Sequence, residues 1–383
     1  MVCRSGILEL FAMLCYIARK FPQTESASFK ARTDMDAIMA SQGFRNVGVR
    51  NNLRSNKYST WFATFAGVLK AGLLLHRGDK LVVQYPDPHF KLICRMAKLR
   101  RAHVVTLIHD LVSFGCADIR PEEEIALLSK SDYIIALNQS MEGWLRTHGC
   151  TVPSTSLGIW DYLSSAAHEA RQTASLEPQR RSMPEPSVSS DEKYTVMFAG
   201  GVSRRRNQFL YDWGTVIDGY KVVVFGNNFD LTQAAGASRF KLRGFVPSSM
   251  MIRHPDGDFG LVWDGNTING CNGPWGEYLR YNNPHKASLY IRCGVPVIIW
   301  KHAGLASFVE EQGIGFTISS LADIAPRLRA LSDEEYNRMK ENVARVSLNV
   351  SSGYYFCEAM NRALESLGVH EKQFMKQFAV SNP

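Results

Sequence analysis

The chain has 383 residues, 45% of them hydrophobic, and a formal charge of +8, so it can bury large cores and is long enough for two domains. Its most apolar N-terminal stretch, residues 6–18, is interrupted by Glu9; it falls short of the roughly 20 apolar residues that cross a bilayer and has no small-residue cleavage site, so neither an anchor nor a signal peptide is expected. Eight dispersed cysteines, with no CxxC pair, argue against a zinc site and for reduced thiols in the cytoplasm.

In chain order, apolar runs predict strands near residues 13–18, 46–49, 80–84, 103–108 and 132–137, separated by helical periodicity near 28–42, 58–75, 88–100, 122–130 and 140–148. Residues 164–192 are rich in Ser, Pro and charge without apolar periodicity, and read as a linker or insertion. Strands then recur near 194–199, 221–225, 259–263, 295–299 and 315–318, and a helical pattern runs from Asp333 to about Leu367. Strand and helix alternation twice over predicts an α/β protein of two doubly wound parallel sheets. The expected units are residues 1–163, the linker, residues 193–352 and a C-terminal helix in 353–383.

Charge is uneven. Residues 1–150 hold 20 Lys/Arg against 13 Asp/Glu, a surplus of +7 that is nearly the whole charge of the chain. Lys91, Arg95 and Lys98 fall on one face of a helix at i, i+4 and i+7. That face suits either anionic lipid headgroups or plain solvation. No helix-turn-helix, ribonucleoprotein motif or zinc finger accompanies the basic cluster, so nucleic acid is not an expected partner.

The densest functional signal is residues 259–300, FGLVWDGNTINGCNGPWGEYLRYNNPHKASLYIRCGVPVIIW. A buried strand stops at Asp264 and Gly265, a Gly/Asn-rich loop follows, and Asn283 and Pro284 read as the N-cap and first position of a helix ending near Cys293. A helix start offers unpaired N–H groups and a partial positive charge; Lys286 adds a full one, a combination suited to a diphosphate. The plain alternative is an ordinary cap with a solvated lysine.

Residues 275–300, WGEYLRYNNPHKASLYIRCGVPVIIW, resemble a segment of a bacterial GT-B glycosyltransferase family. It includes sugar-nucleotide-dependent galactofuranosyltransferases and the glucosyltransferase that extends O-linked GlcNAc on streptococcal adhesins. Three further stretches are similar to it: YIARKFPQTESASFKARTDMD at 16–36, QYPDPHFKLICRMAKLRRAHVVTLIHD at 84–110, and Phe198-Ala199-Gly200-Gly201. The resemblance spans most of residues 13–365. It implies a GT-B fold, two Rossmann-like domains facing across a cleft with the last helix crossing back onto the first domain. It also implies hexose transfer from a UDP-sugar to a glycan acceptor, here expected to be lipid-linked, with galactofuranose favoured and glucose next. The only small molecule expected is the UDP-sugar donor, with no metal and no other cofactor; self-association and contact with the inner face of the membrane stay open.

In such a fold the functional loops follow the carboxyl ends of the strands. Gly200 and Gly201 allow close backbone approach, and Arg204 and Arg205 follow as candidate phosphate clamps. Tyr281, Asn282 and Lys286 are the donor-binding residues on which the resemblance and the helix-start reading converge. Asp110, then His109 and Asp87, are the candidate bases for the acceptor hydroxyl, each at an expected strand end where an Asp can equally cap a turn. Ser26, Ala27, Ser28 and Lys30 are expected on the loop after the first strand. Retaining GT-B enzymes often place two glutamates eight apart before a GxPVI strand; here Asn282 and Tyr290 stand at those places, which removes support for that mechanism, and the role of Glu277 is open. The rival class is a catalytically silent GT-B subunit that stabilises a partner transferase. A Rossmann oxidoreductase or epimerase would need a GxGxxG after a strand, and none is present.

Overall fold

A computed structural model of the protein describes residues 12–18, 27–48, 57–115, 119–163 and 192–369. Residues 1–11, nearly all of the expected linker and the last part of the C-terminal segment lie outside the described residues. Two six-stranded sheets are present, with orders β2-β1-β3-β4-β5-β6 and β12-β11-β10-β7-β8-β9. The first contains β1 (Leu14–Tyr16), β2 (Arg45–Asn46), β3 (Lys80–Tyr85), β4 (His103–Ile108), β5 (Tyr133–Ala136) and β6 (Ser154–Ser156). The second contains β7 (Tyr194–Ala199), β8 (Tyr220–Phe225), β9 (Phe240–Gly244), β10 (Phe259–Val262), β11 (Val297–Trp300) and β12 (Gly315–Ile318).

Among the described residues every pairing between these strands is parallel. Parallel sheets need helices on both faces, which explains why β4, β7, β8 and β10 read as nearly unbroken apolar runs. The strands at β6 and β9 were not expected. Ser154–Ser156 is short and polar, and Phe240–Gly244 is an edge strand with three exposed residues in five, so neither carries a burial pattern.

Each sheet has its own core, and the last two described helices cross between them. The helix Asp333–Ser352 contributes Val343, Val346 and Val350 to the second core, whereas the helix Tyr354–Ser366 contributes Phe356, Met360 and Ala363 to the first. One continuous helical pattern is therefore two helices. Gly353 separates them at φ +84°, a left-handed conformation that stops the first. The fully buried Asp161 accepts bonds from the backbone N–H of Tyr355 and Phe356, fixing the start of the last helix on the first domain.

Below the cleft, a clasp of amides holds the domains together. Asn283 is not the N-cap expected of it: the helix runs His285–Arg292, with Pro284 before it. Its side chain instead donates to the carbonyls of Leu137 and Gly158 and accepts from Asn138, whose amide also reaches the Tyr281 carbonyl. Burial explains the difference, because a buried amide must find several partners and three lie across the domain boundary. Ala27, Ser28 and Lys30 likewise belong to the helix Ala27–Ser41 rather than to a loop; Ser26 lies outside the described residues.

Candidate active site

The helix His285–Arg292 is the centre of the second domain's wall, and its seat is set by one glycine. A Cβ on Gly260 would stand 2.2 Å from the Tyr290 ring, so only glycine lets that ring lie flat against β10. The Tyr290 hydroxyl accepts from Ala199 N at 2.8 Å and donates to Leu261 O at 3.1 Å. It thereby pins the helix across two strand ends, a structural role for the residue at a glutamate's place.

Lys286 opens that helix over a buried carboxylate. Its Nζ is 3.3 Å from both Asp264 oxygens, donates to Trp263 O at 3.1 Å and lies 4.6 Å from the centre of the Phe198 ring. With 12% of its side chain exposed, it is not the solvated lysine of the plain alternative. Burial lowers its pKa against the pull of Asp264, and Arg206 lowers it further. Arg206 Nε stands 3.4 Å from Asp264 Oδ1, and its guanidinium is 4.6 Å from the Trp275 ring. Two cations thus share one carboxylate that is 2% exposed, a net positive charge beside a helix start.

Gly200 and Gly201 form the exposed turn after β7, Gly200 at φ +148°, with nothing within 4 Å of where a Cβ would stand on either. The turn is braced by Asn207, which donates to the Gly201 carbonyl. The structure separates the three arginines that follow. Arg204 donates to Gln208 and Gln233 and lies over Tyr211; Arg205 is exposed; Arg206 is the one on Asp264. Tyr281 packs its ring 5.0 Å from Phe114. Asn282 is half-buried, with an Oδ1 that has no hydrogen-bond partner among the described residues.

On the first domain, Asp110 follows β4 and opens onto the cleft. Tyr278 donates its hydroxyl to Asp110 Oδ1 at 3.3 Å while accepting from Leu111 N at 2.9 Å. Surrounding protein raises the Asp110 pKa, opposed by Arg32, the Tyr278 hydroxyl and Arg206. Tyr278 of the second domain thus bonds Asp110 and Leu111 of the first, so the two walls meet at this point. His109 is buried and stacked on Trp160 at 4.5 Å. Burial, Arg32 and His285 hold its pKa well below the ordinary range, so it is a neutral imidazole; its Nε2 has no partner among the described residues. His285, with its ring 5.0 Å from Tyr162, is driven down to about 3 by burial and Lys30. Asp87 accepts from His89 N at 2.8 Å, as a turn cap does.

Sequence reasoning passed over Asp264, Arg206, Tyr278 and His285. The strand-end rule that singled out Asp110 applies equally to Asp264; Arg206 becomes visible only when β7 and β10 are paired, and Tyr278 only when the domains are assembled.

Two doubly wound parallel sheets, one cleft between them and a last helix returning to the first domain define the GT-B class of glycosyltransferase fold. The chain belongs to the glucosyltransferase 3-like family, whose N-terminal domain model matches residues 14–159 and whose C-terminal domain model matches residues 196–363. It is 26% identical over 355 residues to the beta-1,6-galactofuranosyltransferase WbbI of Escherichia coli K12, covering 89% of this chain and 95% of WbbI. It is also 26% identical over 340 residues to Glucosyltransferase 3 of Streptococcus gordonii, covering 86% of this chain and 92% of that protein. Among solved structures, Anabaena HepE in complex with UDP and glucose superposes with a TM-score of 0.56 at 14% identity, covering 92% of this chain and 100% of HepE. At that identity the likeness concerns the fold.

Proposed function

We propose that this glycosyltransferase moves a hexose from a UDP-sugar to a lipid-linked glycan acceptor at the inner face of the cell membrane, with galactofuranose favoured and glucose next. One observation carries the donor reading: Lys286 and Arg206 converge on the buried Asp264 beside the start of the helix His285–Arg292. A diphosphate there would meet two cations and the first N–H groups of a helix. The names of the relatives support the sugar, since WbbI is a galactofuranosyltransferase and the streptococcal relative a glucosyltransferase; HepE, with UDP in its crystals, supports the nucleotide.

In this reading Asp110 takes the proton of the acceptor hydroxyl as its oxygen attacks the anomeric carbon. A carboxylate whose pKa is raised by its surroundings is a stronger base than an ordinary aspartate. Tyr278 orients it. The sugar–phosphate bond breaks, and Lys286 and Arg206 take up the negative charge that develops on the leaving diphosphate. Fixed cations in this position remove the need for a divalent ion. The test is transfer assayed with a panel of UDP-sugars, with and without EDTA. Turnover with UDP-galactofuranose or UDP-glucose that survives EDTA is expected. Activity abolished by EDTA and restored by a divalent ion would overturn the metal-free step; UDP binding with no transfer or hydrolysis would point to a silent subunit.

A further inference from the structure

We infer that the outer face formed by the helices Lys57–Leu74 and Phe90–Leu99 docks on an anionic lipid bilayer, with leucines entering the headgroup region between basic side chains. This rests on the proposed function only for its purpose, which is to bring the cleft to a lipid-linked acceptor.

The sequence identified the charges and the apolar neighbours Leu92, Ile93, Met96 and Leu99 on one helix; the structure buries Ile93 and adds exposed leucines from the helix packed beside it. Lys91, Arg95 and Lys98 are all exposed, on the flank of their helix next to the face that buries Phe90, Ile93, Cys94 and Ala97. On the same helix Leu99 is 70% exposed, and on its neighbour Leu73 is 74% and Leu69 43% exposed. Single exposed leucines need no explanation, but three on two packed helices form a patch. The packing is close because a Cβ on Gly72 would stand 2.1 Å from the Met96 terminal methyl. Arg100 then donates to the Leu73 carbonyl at 2.6 Å, which brings Leu73 and Leu99 to the same end of the pair.

The surroundings are one-sided in charge. Residues 65–101 contain eight Lys/Arg and two acids, Asp79 and Asp87. Asp79 is 2% exposed and Asp87 is half-buried, so little negative charge reaches this face. Aliphatic side chains among cations match the chemistry of an anionic interface, where long basic stems and leucines enter together. A polynucleotide would favour aromatic stacking surfaces over leucines. The helix Phe90–Leu99 follows β3 back from the cleft, so Lys91 lies at its cleft end and Leu99 about 12 Å along it. Docking along this helix would therefore seat the leucines at its far end and leave Lys91 at the end nearer the cleft.

The test uses the full chain and sedimentation with vesicles of phosphatidylcholine, alone or mixed with phosphatidylglycerol. Binding to the anionic vesicles is expected, weakened by salt and absent with phosphatidylcholine alone. Lys91→Gln and Lys98→Gln should each lower it about fivefold, and Leu73→Ser and Leu99→Ser each about tenfold or more. Exposed positions tolerate such changes within roughly 0.5 kcal/mol, so unchanged melting temperature and UDP affinity are the controls. No binding to anionic vesicles would overturn the inference. So would binding that follows the lysines, ignores the leucines and is competed by single-stranded RNA. A protein that binds vesicles but not UDP would leave this face standing and remove the donor site; one that binds UDP and ignores vesicles would do the reverse.

Discussion

Lys286→Met separates a phosphate ligand from a structural ion pair. Methionine keeps an unbranched stem against Phe198 and removes only the charge. In the free protein two effects oppose each other. Asp264 loses a partner 3.3 Å away but keeps Arg206 at 3.4 Å, while the cost of burying the ammonium, visible in its lowered pKa, disappears. Breaking a buried pair outright costs about 3–5 kcal/mol; with a second cation in place and that burial cost removed, free-protein stability should change by less than about 1 kcal/mol. With UDP bound, no such cancellation occurs. A charge-assisted hydrogen bond to phosphate contributes about 1.5–3 kcal/mol, so the UDP dissociation constant should rise roughly 10-fold to 150-fold. Urea unfolding makes both measurable. UDP at 100 times the wild-type dissociation constant adds about 2.7 kcal/mol to wild type, and after a 50-fold loss of affinity only about 0.6 kcal/mol remains. Unchanged UDP affinity, with free-protein stability down by about 3 kcal/mol, would make Lys286 a structural partner of Asp264 and refute the diphosphate site.

Asp110→Asn keeps the shape of the acceptor wall and the Tyr278 contact but removes the base, so kcat should fall about 100-fold to 10,000-fold with UDP affinity nearly unchanged; near-normal turnover, measured by single-turnover kinetics, would pass the role to His109 or Asp87. The pH dependence of stability should carry the signature of His285. Its folded pKa of about 3 lies below the ordinary value of 6.5, so its contribution is fully present above pH 6.5 and is lost as pH falls toward 3. The loss is about 1.4 kcal/mol per pH unit, or about 2 kcal/mol by pH 5. His285→Gln should flatten the wild-type curve by that amount between pH 6.5 and 5 in urea titrations, and parallel curves would refute a buried neutral imidazole.

What the sequence made legible follows from where its information lies. A parallel strand buried on both faces is written in consecutive residues, which is why β4 is found at the bounds expected for it, residues 103–108, and β7 at 194–199. Edge strands such as Ser154–Ser156 are held by hydrogen bonds to a neighbour, and backbone bonds leave no pattern in side chains. The candidate site divides along the same line. Lys286 was legible because a cation in the first turn of a helix is a local arrangement. Asn283 shows the limit of that reasoning: Asn-Pro before a helix is a cap by local rules, yet the amide faces a domain boundary where the carbonyls of Leu137 and Gly158 compete for it. Tertiary partners won because an unsatisfied buried carbonyl costs more than an unused cap.

The same competition sorted the arginines after Gly201. Three consecutive arginines look alike in sequence, but successive side chains in a turn diverge, and only Arg206 comes within reach of Asp264 while Arg204 finds Gln208 and Gln233. A basic run beside a glycine turn therefore predicts that a cation reaches the cleft without predicting which one. The pairing that decides it is with a carboxylate nearly sixty residues away, placed there by the parallel register of β7 and β10.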